Sequence, residues 1–350
     1  MANSVPRTST VRLAIVGVGN CASALIQGLN YYRTHPQETI GLMHLALGGY
    51  GVTDIEPVVA FDVAANKVGR DLSEAIFASP NVAYRLPDDV PPSGVVVQMG
   101  PVLDGVPPHL TDVVVMSDRE PVDVTAALKA SRADVLLNCL PTGSAQAARL
   151  YARAALDAGV AFVNGMPELL VCDPAFSQEA EARGVPLIGD DIKSQLGGTI
   201  LHRALNETML ARGIRIKKTY QLNYAGNTDF RNLTRRGATK EVTKGEALTS
   251  LIPYPAEVSP AFAYVPNMRD RKTTRFYFEL ANFSNAPVRF EATLEVEDSA
   301  NFAGVAVDAI RCCRVAQDRG VGGVLHAASA FLAKHPPQPI SDVEARARLE

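Results

Sequence analysis

Residues 11–22 read Val11-Arg12-Leu13-Ala14-Ile15-Val16-Gly17-Val18-Gly19-Asn20-Cys21-Ala22. A short apolar run rich in β-branched residues leads into a glycine turn, and apolar residues at helical spacing follow it. The pattern G-x-G-x-x-A is a variant of the dinucleotide-binding fingerprint: Gly17 permits the tight turn, and Gly19 lets the backbone approach a pyrophosphate. The segment therefore predicts the first strand, turn and helix of a nucleotide-binding α/β domain.

The next predicted strand, Val58–Phe61, ends at Asp62. A carboxylate at this point accepts hydrogen bonds from the ribose of NAD and repels the 2′-phosphate of NADP, usually about 20 residues after the turn. The interval is longer here because a glycine-rich insertion lies between Arg33 and Glu56. Such a loop is either a mobile cover beside the cofactor or a surface excursion. The sequence therefore predicts NAD as the cofactor.

Strands and helices then alternate along the chain, which is typical of a doubly wound parallel sheet. The predicted strands are Val95–Gln98, Asp112–Met116, Val135–Cys139, Ala161–Val163 and Pro186–Ile188, and the predicted helices are Val122–Ser131, Ser144–Ala158 and Pro174–Arg183. Two turns of small residues lie at the carboxyl ends of strands. They are expected to contact the cofactor through Pro141 and Thr142 in the first and through Asn164 in the second.

The loop Gly189–Gln195 follows the last of these strands and contains two carboxylates and an ammonium. Gly197, Gly198 and Thr199 come next, and a helical pattern begins at Ile200. A helix N-terminus at such an edge binds phosphate through its N–H groups and its dipole. Taken alone, the loop is either a salt-bridged surface turn or a ligand site.

The second half of the chain changes character. Val288–Val296 alternates apolar and polar residues, as do Thr274–Leu280 and Arg215–Asn223, which predicts antiparallel strands with one wet face. A helix is predicted at Asn301–Arg319, with Val305, Ala309, Ile310 and Val315 as a core stripe. We expect a Rossmann-like domain at 1–199, an inserted α+β catalytic and association domain at 200–299, and a segment returning to the first domain at 300–350. An isolated sheet of this size is expected to pair with another subunit.

Composition narrows the class of protein. The 350 residues carry a net charge of −3, which gives no support to nucleic-acid binding. No apolar run approaches the roughly 20 residues that span a bilayer, and Met1 to Thr10 lack the apolar core of a signal peptide. Five cysteines without metal-like spacing favour a reducing compartment. We therefore expect a cytoplasmic protein that binds neither nucleic acid nor membrane.

Lysines are the candidate groups for chemistry on an anion. Lys240 and Lys244 are four residues apart and share a face if the segment is helical, although surface lysines are the commoner explanation of such a pair taken alone. Lys272 lies at the start of a predicted strand and Lys334 near the C-terminus. The six histidines fall at no metal-ligand spacing.

Several segments, in this order, resemble the short bacterial and archaeal type of myo-inositol-1-phosphate synthase. They are Gly17–Asn20, Ala60–Val63, Gly189–Gln195, Asn227–Asp229, Lys240-x-x-x-Lys244, Asp270–Lys272, Glu297–Ser299 and Lys334 before its double proline. The resemblance extends over the whole chain, and the Gly-Asp-Asp-Ile-Lys-Ser segment is the most specific part of it.

The resemblance implies a redox-neutral cyclisation of D-glucose 6-phosphate to 1L-myo-inositol 1-phosphate, the first step of inositol and inositol-phospholipid synthesis. In such an enzyme NAD⁺ takes a hydride from C5, the 5-ketone acidifies C6, the enolate attacks the C1 aldehyde, and C5 is reduced again. The chemistry needs a nicotinamide, ammonium groups beside developing oxyanions and a phosphate cradle. The family is usually homotetrameric.

The resemblance also implies roles for individual residues. Lys240 and Lys334 would serve C5 redox chemistry and proton transfer, and Lys244 and Lys272 would hold the phosphate and the oxyanions. Ser194, with Gly197, Gly198 and Thr199, would cap the phosphate. The cofactor would contact Gly17, Gly19, Asn20, Cys21, Asp62, Pro141, Thr142, Asn164, Asp190 and Asp298. Asp191, Asp229 and Asp298 would orient lysines or the nicotinamide, or hold a mono- or divalent cation with substrate oxygens.

Three alternatives stay open at this point. The segment Pro253–Asn267 departs from the family pattern, so a sibling cyclase acting on another sugar phosphate fits as well. An NAD-dependent dehydrogenase of the homoserine or semialdehyde type would also place a Rossmann domain before an antiparallel one. A non-enzymatic NAD sensor would keep the cofactor turn and lose the lysines, whereas all four candidate positions are lysine here.

Overall fold

The computed structural model describes residues 10–236 and 252–349. Its larger sheet has seven parallel strands in the order β11-β6-β5-β4-β1-β2-β3. Their bounds are β1 Val11–Val16, β2 Ile55–Asp62, β3 Val97–Met99, β4 Val135–Asn138, β5 Ala161–Asn164, β6 Pro186–Ile188 and β11 Gly323–Val324. The predicted α/β class with a doubly wound parallel sheet is thus confirmed: β2 and β3 are added on one side of β1, and β4, β5, β6 and β11 on the other.

The helices of the described residues have the bounds α1 Asn20–Thr34, α2 Leu72–Ala75, α3 Val124–Ala130, α4 Ala145–Ala158, α5 Pro174–Ala182, α6 Gly198–Ala211, α7 Thr228–Arg236, α8 Asp298–Asp318, α9 His326–Leu332 and α10 Asp342–Leu349. Helices cover both faces of the larger sheet, whereas α6 and α7 pack against strands of a second sheet. One apolar core joins the sheet to α1, α8 and α9, and a second joins it to α3, α4 and α5. Because both faces are covered, the strands read as continuous apolar runs.

The predicted strand Asp112–Met116 is wrong. The amides of Val113 and Val114 donate to the carbonyl of Leu110 within a turn, and only Met116 forms an isolated bridge, to Ala64. The sheet ends at β3, so this apolar run closes the loop beside the sheet edge. Val115 is consequently 69% exposed.

A second, four-stranded sheet has the order β10-β9-β7-β8. Its strands are β7 Arg215–Ala225, β8 Glu257–Tyr264, β9 Arg271–Ala281 and β10 Pro287–Glu297, with only the β7–β8 pair parallel. The mostly antiparallel sheet was predicted, but β8 was missed. Pro260 within β8 argues against a strand from sequence alone, and is tolerated because β8 lies at the sheet edge.

The insertion between α1 and β2 is anchored to α8. Arg311 is fully buried, forms an ion pair with Asp308, and donates to the carbonyls of His44 at 2.9 Å and Tyr50 at 3.2 Å. The His44 ring lies 2.6 Å from the other oxygen of Asp308. Removing one partner of a buried ion pair typically costs about 3–5 kcal/mol. The insertion is therefore a firmly held excursion over α8.

No helix in the described ranges, 10–236 and 252–349, is long and apolar enough to cross a membrane.

Candidate active site

A cavity of about 270 Å³ opens where the carboxyl ends of the parallel strands meet the second sheet. It brings together twelve of the predicted site residues: Gly17, Gly19, Asn20, Cys21, Asp62, Pro141, Asp191, Ser194, Asp229, Lys272, Asp298 and Lys334. None of residues 34–56, all of which are described, lines this cavity. The insertion is thus not a cover over this site in the structure.

The glycine turn has the shape that a dinucleotide requires. Gly17 has φ +88°, and a Cβ there would lie 2.5 Å from the carbonyl oxygen of Cys139, so only glycine fits. At Gly19, in contrast, a Cβ would meet no atom within 4 Å, and the residue borders the cavity. The backbone at Gly19 is therefore open to close approach by a pyrophosphate.

Asp62 is held at the tip of β2 by backbone amides. One oxygen accepts from the amide of Val18 at 2.9 Å and the other from Val63 and Ala64 at 2.7 and 2.8 Å. The ammonium of Lys67, itself only 4% exposed, lies 3.8 Å away and donates to the carbonyl of Val18. Burial lowers the pKa of Lys67. Lys67 was not predicted as a site residue. The one feature of the sequence that could have indicated it is its position five residues after Asp62, the carboxylate at the end of β2.

Asn20 and Cys21 line the cavity but are tied into the fold. The side-chain oxygen of Asn20 accepts from the amides of Val82 and Ala83 at 2.6 and 3.0 Å, which fixes the loop after Pro80 over the turn. Burial raises the pKa of the Cys21 thiol, which keeps that thiol protonated at neutral pH. Neither side chain acts as a charged group.

Asn164 and Asp190 lie behind the cavity wall. Asp190 is fully buried and accepts hydrogen bonds from Asn164 at 2.6 Å and from the amides of Val171 and Cys172 at 3.1 and 3.0 Å. Burial is the main cause that raises the pKa of Asp190, to about 6. The structure thus places these two predicted cofactor contacts in a supporting network that holds the site loop.

Asp191 and Lys334 form the first ion pair at the cavity, with Oδ1 and Nζ 2.6 Å apart. Asp191 has φ +62°, an unusual backbone conformation for a non-glycine residue, and its side chain is 4% exposed. The two residues belong to segments that pair through an isolated antiparallel bridge, Ile192 with Ala333. A loop after β6 and the segment after α9 are thereby brought to one point.

Lys272 and Asp298 form the second pair, at 2.7 Å. Lys272 stands near the start of β9, and Asp298 is the first residue of α8. Asp270 fixes the junction: it accepts from the amide and hydroxyl of Ser299 at 3.0 and 2.9 Å and from Asn227 at 3.0 Å. Burial raises the pKa of Asp270. Asp298, predicted both as a cofactor contact and as a lysine partner, is placed as a lysine partner.

A smaller cavity of about 30 Å³ adjoins the first at the start of α6. Asp191, Ser194, Gly198, Thr199, Phe230, Phe262, Lys272 and Lys334 line it. The first turn of a helix leaves N–H groups without intrahelical partners, and two lysines face the same space. Gly197 is buried beside Ser194, where a Cβ would lie 2.5 Å from the serine Cβ. The arrangement is suited to a small phosphate group.

Thr142, a predicted cofactor contact, and Asp229, a predicted catalytic residue, are hydrogen-bonded to each other. The hydroxyl of Thr142 donates to Asp229 at 3.1 Å, and Asn232 donates to the carbonyl of Thr142 at 2.5 Å. These bonds tie the turn after β4 to α7. Lys240 and Lys244 lie outside the described residues. Within the described ranges, no group of three His, Cys, Asp or Glu side chains is arranged to hold a metal ion.

The family model described as myo-inositol-1-phosphate synthase matches residues 197–299. The inositol-3-phosphate synthase of Mycolicibacterium smegmatis is 47% identical over 358 aligned residues, covering 97% of each chain. The crystal structure of Ari2 superimposes with a TM-score of 0.80 at 37% identity, covering 97% of this chain and 98% of the other.

A myo-inositol-1-phosphate synthase-related protein from Thermotoga maritima also superimposes with a TM-score of 0.80, at 25% identity and 97% coverage of both chains. The similarity thus extends beyond residues 197–299 to both sheets. Identity of this extent over nearly the whole length shows that the chain belongs to the myo-inositol-1-phosphate synthase family.

Proposed function

We propose that this chain is an inositol-3-phosphate synthase that converts D-glucose 6-phosphate to 1L-myo-inositol 1-phosphate with bound NAD and no net oxidation. The observation that carries the proposal is the convergence of two lysine–aspartate pairs on one cavity, between the glycine turn and the start of α6. Full-length similarity to a named inositol-3-phosphate synthase supports the same reaction.

The residues at the strand ends suit NAD. Gly17 and Gly19 would hold the pyrophosphate, and Asp62 would accept from a ribose hydroxyl beside the amides it already binds. The bound nicotinamide supplies the hydride acceptor for C5 oxidation and the hydride donor for the final reduction. The protein must then orient the sugar, stabilise oxyanions and move protons.

Lys334 is assigned to the oxygen on C5. Its ammonium is held 2.6 Å from Asp191 and lines the cavity, so it donates a hydrogen bond to the C5 oxygen as negative charge develops there. A donor that is already in position does not have to reorganise during the reaction, and the ion pair with the buried Asp191 holds the Lys334 ammonium in position. The roles of Lys240 and Lys244 stay predictions from the family resemblance.

Lys272 is assigned to the phosphate end of the substrate. It borders both the main cavity and the small cavity at the start of α6, where Ser194, Gly198 and Thr199 lie. The pair with Asp298 keeps its ammonium directed to this space. A phosphate bound here would receive backbone N–H donors and a positive charge together. The substrate would thus be fixed at C6 while C5 and C1 react.

We also propose that the reaction takes place in the cytoplasm, as the first step of inositol and inositol-phospholipid synthesis. None of the five cysteines, all of which lie within the described residues, forms a disulfide, which suits a reducing compartment.

Purified protein incubated with NAD⁺ and D-glucose 6-phosphate should produce inositol phosphate, detected by chromatography of the phosphate esters, without net absorbance change at the NADH wavelength. A dehydrogenase would accumulate NADH in step with product, and a sibling cyclase would turn over another hexose phosphate instead. Absence of inositol phosphate across varied cations would overturn the proposal.

Replacing Lys334 with methionine should lower kcat by about 10²–10³-fold, the usual cost of removing one donor to a developing oxyanion. NAD binding, measured by calorimetry, should change little because Lys334 is assigned to the substrate. Lys217→Met removes an exposed lysine from β7 and is the matched control. Near-normal turnover in Lys334→Met would remove this lysine from its assigned role.

We further propose that the second sheet associates subunits into a homotetramer through the face opposite α6. Thr219 and Gln221 face α6, where Gln221 donates to the carbonyl of Gly198 at 2.6 Å, so the intervening Tyr220 faces outward. Tyr220 is 43% exposed and stacks on Tyr277 with ring centroids 4.9 Å apart. Exposed stacked tyrosines are typical anchors of interfaces.

Tyr220→Glu should therefore shift the wild-type tetramer to smaller species in sedimentation velocity, because it places a charge in the centre of the proposed interface. Tyr84→Glu, at a tyrosine that is 56% exposed on the other domain, should leave the tetramer intact. A wild-type monomer, or equal behaviour of the two variants, would rule out this face.

A further inference from the structure

Lys193 belongs to the site loop, yet its ammonium does not line the cavity. The side chain is 3% exposed. Its Nζ donates to the carbonyls of Ala330 at 2.7 Å and Phe331 at 3.3 Å, and lies 2.6 Å from Oδ1 of Asp342. An ammonium has three N–H donors, and these three partners use all of them. Lys193 thus joins the loop to the end of α9 and to the start of α10.

Asp342 completes this clamp from the C-terminal helix. Its second oxygen lies 3.3 Å from Nε of Arg203, a buried residue of α6. Burial is the main cause that lowers the pKa of Lys193, and the carboxylate of Asp342 acts in the opposite direction, so that the pKa is about 8. The first residue of α10 therefore binds two buried cations on two other elements.

The clamp lies directly beside a short antiparallel ribbon that carries the first catalytic pair. The amide of Lys193 donates to the carbonyl of Leu332 at 2.8 Å, the amide of Lys334 to Asp191 at 2.7 Å, and the amide of Asp190 to His335 at 2.9 Å. The carbonyls bound by the Lys193 ammonium immediately precede Leu332 in the chain. The backbone and the side chain of Lys193 thus both bind residues 330–332, which end two residues before Lys334.

We infer that Lys193 and Asp342 are positioning residues, whose ion pair sets the ribbon so that Lys334 meets Asp191 at the cavity. The helix α10, which lies beyond the catalytic lysine, is then part of the framework of the site. This role rests on the proposed function for its effect on turnover. Its effect on the ribbon is independent of any reaction. A misplacement of about 1 Å at a reacting group can lower the rate by about 100-fold.

The test compares Asp342→Asn and Lys193→Met with Glu344→Gln, which removes one charge from the same helix at a residue paired only with Arg348 among its described contacts. Amide hydrogen exchange, read by mass spectrometry, should accelerate in the peptide covering residues 332–336 for the first two variants and stay unchanged for the control. Where Lys193→Met fails to fold, Asp342→Asn alone decides.

Turnover provides the second readout. In Asp342→Asn, kcat should fall about tenfold or more while KM for glucose 6-phosphate and the Kd of NAD change less than about threefold, since a group in the transition state is misplaced. Asp342→Glu, which keeps the charge, should recover part of kcat. Unchanged exchange and kcat relative to Glu344→Gln would overturn the inference. If the wild type forms no inositol phosphate but Asp342→Asn still exchanges faster than Glu344→Gln at residues 332–336, the proposed function is rejected and the positioning role of the clamp is kept.

Discussion

Two lysine ammonium groups can face one cavity because each has an aspartate beside it. Lys334 lies 2.6 Å from Asp191, and Lys272 lies 2.7 Å from Asp298. Each carboxylate offsets the cost of placing an ammonium group at a largely buried position beside a second one. In the proposed reaction these ammonium groups face the space in which oxyanions would develop. Most other features of the site serve to bring these four side chains together.

The fold achieves this by returning the chain to the first sheet twice. The junction of β10 and α8 carries Asp298, and Asp270 binds Ser299 there, so the second sheet is tied to the first at the cavity itself. The segment after α9 returns again and pairs with the loop after β6. The glycine turn of β1 lies at the same edge, because parallel strands end together. The glycine turn, the two lysine–aspartate pairs and the start of α6 thus meet at one place in the fold.

Much of this fold could be predicted from local sequence patterns, and the predictions that were wrong or missing have physical causes. The strand–turn–helix at 11–34 and the alternation in β10 are properties of the local chain, so they could be predicted. The strand β8 was not predicted because it contains Pro260, and a proline is tolerated in a strand only at a position such as the sheet edge. Which way a polar side chain points from a strand end depends on packing across the domain. Asp190 was therefore assigned to the cofactor although it lies behind the wall, and the role of Asp270 was missed.

In the proposed reaction, one molecule of sugar is oxidised and then reduced at the same carbon without leaving the site. The most direct measurement uses D-glucose 6-phosphate carrying deuterium at C5, with unlabelled NADH added to the solution, and mass spectrometry of the inositol phosphate. Because the hydride returns to the molecule from which it came, the product should retain essentially all of the deuterium. Loss of the label to the nicotinamide pool or to water would contradict the account.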